Sequence, residues 1–310
     1  MTTVFKNKNG QIRSGYLISF TGLLALAFSM VLSIPATIIM VISQYNPSSR
    51  TLEIEKITND MSSYYLLNIT QEIGIIIAVI IAWKLFNKAK VKNIGFGFYK
   101  GVRQILLGLL LGFLSMTLIF IFLRILGAVD VANSIIHPHI SKYLLLDILL
   151  YVLVGIAEEL FFRGYIIGTM LQRGNNKLWC MTVSAIIFGC THLINPNVAA
   201  VGIINIALVG VLFTYMYIST GKLWLSIGFH ITWNYFQGSV FGFHVSGTET
   251  HGLYITKINS HQWLLNGGHF GPEAGLLTTI VVIINLFVLF WWNRKKTLNH
   301  SFEVQKELAE

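Results

Sequence analysis

The sequence predicts an all-α protein: a polytopic membrane helical bundle of about eight transmembrane helices. Three observations carry that expectation. Hydrophobic residues fill 54% of the 310 positions and charged residues only 11%, at a mean hydropathy of +0.66; a soluble domain carries roughly 25% charged residues, so that class is excluded. The apolar residues gather into eight runs, each close to or above the ~20 residues that a spanning helix needs. The loops between them alternate between basic and nearly uncharged, which is the signature of membrane orientation.

Taken in order, residues 1–15 are polar and basic, with Lys6, Lys8 and Arg13. The first span, 16–43, is uncharged, too long for a signal-peptide core and without a small-residue cleavage site, so it reads as a retained span. A mixed loop, 45–62, leads to the second span, 63–83, which holds Glu72 near its middle. Glu72 reads as a structural or pore-facing carboxylate. Residues 84–103 carry six basic side chains and a short interfacial piece at 93–98. The third span, 104–126, ends near Arg124, and the loop 127–142 contains Pro138. The fourth span is 143–171, followed by a turn with Arg173 and Lys177. The fifth, 178–194, stops at Asn195-Pro196-Asn197, where the proline restricts the residue before it and a tight turn follows. The sixth, 198–218, and the seventh, 223–243, flank a short turn with Lys222. A polar stretch, 244–273, contains His244, His251, His261 and His269; their spacing matches no metal-ligand pattern and reads as a solvated loop. The eighth span is 274–293, and 294–310 reads as a cytoplasmic tail opening on Arg294-Lys295-Lys296.

Basic residues number three before the first span, six in 84–103, two in 173–177, one at Lys222 and four after the last span; the intervening loops hold only Arg50, Lys56, Lys142 and Lys257. By the positive-inside rule both termini of a multi-pass cell-membrane protein are then cytoplasmic. The same distribution assigns the net charge of +9 to topology and lipid headgroups rather than to nucleic acid. Cys180 and Cys190 lie about 15 Å apart along one helix, too far to bridge each other within it. No zinc CxxC pattern is present, and Cys190 reads as a small buried residue rather than a nucleophile.

Ionised side chains inside apolar spans are costly and therefore functional candidates. The fourth span contains Gly155-Ile-Ala-Glu-Glu-Leu-Phe-Phe-Arg-Gly164. Glu159 and Arg163 are four apart on one helix face and can pair. Glu158 is rotated by about 100° from Glu159, so its partner must come from another helix or from water. Two later stretches supply candidates: Phe188-Gly-Cys-Thr-His192, and His230-Ile-Thr-Trp-Asn234, whose His and Asn share a face. A carboxylate and an imidazole in a low-dielectric cavity can hold and deprotonate a water, and a second His with an Asn can donate to an oxyanion. That set performs acyl-group hydrolysis, peptide hydrolysis included, without a Ser or Cys nucleophile. The same Glu158, His192 and His230 can instead bind Zn²⁺. The HExxH motif of soluble zinc proteases is absent.

Glu158 to Arg163 resembles the EExxxR motif of the CPBP family, which comprises the type II CAAX prenyl endopeptidases and the bacterial Abi bacteriocin-processing and immunity-related membrane proteases. Phe188 to His192 is similar to its FxxxH motif and His230 to Asn234 to its HxxxN motif, in the family's order. The resemblance spans roughly residues 100–243 of a single integral membrane domain, 1–310. It implies an α-helical intramembrane endopeptidase acting on a membrane-associated or lipidated peptide or protein. It implies Glu158 and His192 as the groups that activate water, His230 and Asn234 as the oxyanion hole, and Glu159, Arg163 and Phe188 as supporting residues. Both a zinc mechanism and a metal-free glutamate mechanism fit the family. The stretch Gly267 to Gly275 is similar to a segment of bacterial members and receives no role. Two other readings of the polar spans are a proton-coupled transporter and a non-catalytic immunity or scaffold protein on the same fold; the lack of an internal repeat disfavours the transporter.

The orientation is testable directly. In a background lacking both native cysteines, single cysteines at Asn133 and Thr248 should react with a membrane-impermeant thiol reagent on intact cells, and one at Asn176 should not. External labelling at Asn176 overturns the orientation.

Overall fold

A computed structural model describes residues 4–46, 51–52, 61–133 and 136–307, with side chains described as far as Arg294. Arg50 and Lys56 of the first expected loop, and residues 308–310 of the expected tail, lie outside these. The described chain is overwhelmingly helical, as expected. Its helices are α1 Ser14–Ser43, α2 Met61–Ala82, α3 Gly101–Ile125, α4 Leu144–Glu159, α5 Gly168–Gln172, α6 Lys177–Thr191, α7 Ala200–Thr220, α8 Trp224–Tyr235, the single turn α9 Trp263–Asn266, and α10 Leu276–Glu307. Strands among the described residues are two short antiparallel pairs, β1 Tyr45–Asn46 with β2 Thr51–Leu52, and β3 Val129–Val131 with β4 Thr256–Ile258.

Six described helices are long and apolar enough to cross a membrane: 14–43, 61–87, 101–125, 177–194, 200–220 and 276–294. The protein is a multi-pass membrane protein. The other two expected spans carry two of the three polar motifs. The fourth is α4 continued through a π-helical segment, Leu160–Ile167, into α5, and it holds Asp147, Glu158, Glu159 and Arg163. The seventh is α8 continued into a π-helical segment, Phe236–Val240. One boundary differs from the sequence reading. The last helix does not stop before Arg294 but runs on to Glu307. Charged Arg and Lys are good helix formers, so a change from apolar to basic marks the edge of the membrane, not the end of a helix. A second difference is Cys190, which is exposed rather than buried, while Cys180 is buried. In a spanning helix the outward face meets lipid, so a small apolar residue can stand outside the packed interior.

The chain divides into two compact units, 1–112 with 140–180 and 222–235, and 113–139 with 181–221 and 236–310. In the first unit, helices approach closely wherever glycine removes a side chain, as expected where lipid supplies no hydrophobic drive between helices. Gly108 and Gly112 of α3 lie against α8: a Cβ on Gly108 would stand 2.2 Å from the Leu225 carbonyl oxygen, and one on Gly112 2.3 Å from that of Phe229. Reciprocally, a Cβ on Gly228 would stand 2.4 Å from the Ile105 carbonyl oxygen. Thr232 Oγ locks the same crossing by donating to the Leu109 carbonyl at 2.8 Å. Gly155 lets α4 approach Ile231 on the other side of α8. Together these contacts set the rotation of α8, and with it the direction of His230.

The second unit is held by ring stacking and by a folded loop. Phe120 of α3 stacks on Phe241 with centroids 4.2 Å apart and also meets Phe243 and Tyr254. Asn205 of α7 donates to the carbonyls of Glu273 at 2.7 Å and Gly275 at 3.0 Å, and accepts from Thr279 of α10. That buried amide ties the 267–275 stretch to two helices.

Gly228→Val should destabilise the purified protein by about 2 kcal/mol or more, since the added carbons meet backbone that cannot move aside. Gly22→Ala should match or slightly exceed wild type, because its Cβ meets only Phe161 at 4.0 Å and alanine favours helix. Thermal unfolding of both variants measures the difference.

Candidate active site

In the first unit, the site begins where α4 passes into its π-helical continuation. Widening the helix there shifts the register of the residues that follow, and such segments are frequent at functional positions. Glu158 and Glu159 end the α-helical part and Arg163 lies in the π-helical part. Arg163 Nη1 donates to Glu159 Oε1 at 2.7 Å, with both side chains fully buried. The pairing expected from their spacing is present.

Glu159 also does something its spacing did not announce. The same Oε1 lies 3.3 Å from Nδ1 of His230, on α8. A carboxylate paired with arginine can only accept, so Nδ1 is the nitrogen that carries the proton. Its partner Nε2 then faces Glu158, 3.7 Å from Oε2. His230 is thus the residue on another helix that Glu158 requires. Glu158 Oε2 is itself enclosed and accepts no hydrogen bond from a described residue. The chain Arg163–Glu159–His230 fixes the imidazole, and Glu158 stands across from it, 22% exposed where Glu159 is fully buried. Asn234 follows one turn after His230 and is buried at 6% exposure. Glu72 is half-buried on α2, and one of its carboxylate oxygens is enclosed with no hydrogen-bond partner among the described residues.

His192 and Phe188 belong to the second unit and are placed by different contacts. His192 opens the 3-10 turn His192–Ile194 at the end of α6. Its Nδ1 lies 2.8 Å from the Phe188 carbonyl, which accepts, so Nε2 is left with a free lone pair. The Phe188 ring, buried at 3% exposure, meets the imidazole edge-on with centroids 5.0 Å apart. Phe188 therefore holds His192 by both backbone and ring.

The second unit also contains a carboxylate that the sequence reading left without a role. Glu273 is buried, accepts from the Ser246 backbone N–H, and accepts from Ser246 Oγ at 3.1 Å on both oxygens. Burial raises its pKa, while hydrogen bonds from Gln237 and Ser246 and the nearby His192 oppose that rise. No spacing motif marks a single Glu in a glycine-rich stretch; the available signal was an acid among residues otherwise small and apolar. Of the loop histidines, His251, His261 and His269 are exposed and His244 is half-buried, its Nδ1 bonding the His269 carbonyl at 2.7 Å.

Among the described residues no three His, Cys, Asp or Glu side chains form a metal-binding group. Glu158 and His230 nevertheless fit as two zinc donors. Ligands of one tetrahedral zinc at ~2.0–2.1 Å stand roughly 3.4 Å apart, close to the 3.7 Å seen, and the Glu159 carboxylate on Nδ1 is the outer partner a ligating His usually has.

Residues 140–236 match the family model described as type II CAAX prenyl endopeptidase Rce1-like. The chain is also 32% identical over 123 residues to the uncharacterized protein YyaK of Bacillus subtilis (strain 168), covering 35% of this chain and 41% of that protein. It thus spans about two fifths of the length of the curated relative it matches. All three polar motifs, from Glu158 to Asn234, fall inside the stretch that is similar to this family model.

Proposed function

We propose that the protein is an intramembrane endopeptidase that cleaves a peptide bond in a membrane-associated or lipidated peptide or protein. The observation that carries this reading is the His230 imidazole held between Glu159 and Glu158. A proton relay also uses Glu and His, but it has no need of an imidazole clamped in one orientation beside a second, less buried carboxylate. The family match over the motif-bearing segment supports the same reading.

In this mechanism Glu158 is the general base. It takes a proton from water as the water oxygen bonds to the scissile carbonyl carbon. The carbonyl electrons move onto oxygen. His230, in its doubly protonated form with a proton on Nε2 as well as Nδ1, and Asn234, through its amide N–H, donate to that oxyanion. When the tetrahedral species collapses, the C–N bond breaks and Glu158 returns its proton to the leaving amine. Glu159 acts through His230 and is a positioning residue, and Arg163 holds Glu159 in place. Were zinc bound, Glu158 and His230 would be two of its ligands, and it would acidify the bound water.

Glu158→Gln keeps the side-chain shape and removes the proton acceptor. Peptides that accumulate in membranes from wild-type cells should vanish from Glu158→Gln membranes when compared by mass spectrometry, and purified variant should bind substrate without cleaving it. Near wild-type cleavage by Glu158→Gln removes the protease assignment and favours proton transport. Asn234→Ala should lower single-turnover cleavage by about 10²–10³-fold with little change in substrate affinity, since its donation matters mainly in the transition state.

Zinc has its own readout. Elemental analysis of the purified protein should find about one equivalent, lost in His230→Ala, if metal is part of the site. Full activity of metal-free protein after exhaustive chelation leaves the glutamate mechanism standing.

A further inference from the structure

The first unit also contains a cleft of about 570 Å³, lined by none of the acidic-site residues, that the proposed reaction does not use. One wall is an N-terminal hairpin. Lys6 and Ile12 form a bridge across it, and Asn7 caps its turn by accepting from the N–H groups of Asn9 and Gln11. The other wall is the turn that follows α5, where Asn175 donates to the Met170 carbonyl at 2.9 Å and Gly174 takes a left-handed φ of +80°. Asn7 also reaches across to the Arg173 carbonyl at 3.5 Å. The cleft is thus a built feature with both walls hydrogen-bonded.

Its lining is basic and polar. Arg13 and Arg173 both face it, with Ser14, Ser19, Asn7 and Asn175, and no acidic residue is among its described lining. Arg173 is already oriented: Nη2 donates to the Phe86 carbonyl at 2.9 Å and Nη1 to Gln172 at 3.2 Å. Its Nε is enclosed and has no hydrogen-bond partner among the described residues. The first turn of α1 opens onto the same space, with no side-chain cap and no acidic residue to neutralise its N–H groups. Two guanidinium groups, unfilled N–H donors and amide side chains together suit a phosphate.

The surroundings select the source of that phosphate. Val4, Phe5, Phe20 and Leu23 are all more than half exposed, and Phe20 and Leu23 lie one turn apart on the outward face of α1. Such an apolar flank suits acyl chains and has no use for a free ion. The charge rule places these helix ends at the cytoplasmic leaflet, where anionic lipids concentrate. We propose that this cleft binds the phosphate-bearing headgroup of an anionic phospholipid, with Arg13 and Arg173 on the phosphate and the acyl chains along α1.

Native mass spectrometry of the full-length protein tests this. After delipidation the protein is supplied with phosphatidylglycerol, with phosphatidylcholine, or with inorganic phosphate. The expected result is about one phosphatidylglycerol retained in preference to phosphatidylcholine and not displaced by millimolar phosphate. Arg13→Gln and Arg173→Gln should each weaken retention by about tenfold, the loss of one charge-assisted hydrogen bond. Lys84→Gln with Lys92→Gln, which removes more charge than either arginine variant from exposed positions elsewhere in this unit, should leave it unchanged. If Arg173→Gln is unstable, Arg173→Lys provides the same test by retaining charge while losing the fork, with intermediate retention expected. Equal retention of the two lipids, displacement by inorganic phosphate, or an equal loss in the lysine variant overturns the proposal.

Discussion

A fully buried arginine paired with a fully buried glutamate is an expensive object in a membrane protein, and the candidate site depends on it. The Arg163–Glu159 pair costs desolvation on both sides, and removing either partner leaves a charge that the surroundings cannot solvate. A hydrophobic pair of the same volume would pack as well. What the ion pair adds is a carboxylate fixed in position inside the first unit and aimed at one nitrogen of His230. The imidazole then has a defined protonated edge and a defined edge facing Glu158. Two adjacent glutamates thereby differ: one is buried, paired and fixed, the other is partly exposed, and its enclosed Oε2 has no hydrogen bond among the described residues.

The packing that maintains this arrangement is generic to membranes. Glycines on α3 and α8 bring the two backbones together, and Thr232 registers them with one hydrogen bond. Because His230 lies two residues after Gly228 and two before Thr232, a small rotation of α8 would carry its imidazole away from both glutamates. The site's precision therefore rests on residues that perform no chemistry.

Much of this was legible in the sequence, for a definite reason. In a membrane span the background is apolar, so each polar residue stands out and helical spacing assigns its face. The pairing of Glu159 with Arg163 and the need of Glu158 for a partner on another helix both follow from that. What was not legible depends on tertiary contact. Nothing local shows that Glu159 serves His230 as well as Arg163, or that the helix widens after Glu159. Hydropathy also fails to report burial where the exterior is lipid, which is why Cys190 turns outward against expectation. It fails again past Arg294, where polarity changes while the helix continues. Glu273 escaped because a loop has no periodicity from which to read a partner; Ser246, far from it in sequence, became visible only in three dimensions.

The central claim is that Glu159 acts on catalysis through His230. A double-mutant cycle on single-turnover cleavage measures this directly, using Glu159→Gln, His230→Ala and the double variant, each checked for folding by thermal unfolding. The account predicts strong non-additivity: Glu159→Gln slows cleavage in the wild-type background and has almost no further effect once His230 is gone. Losses that multiply independently would show that the two residues serve separate ends, and would contradict it.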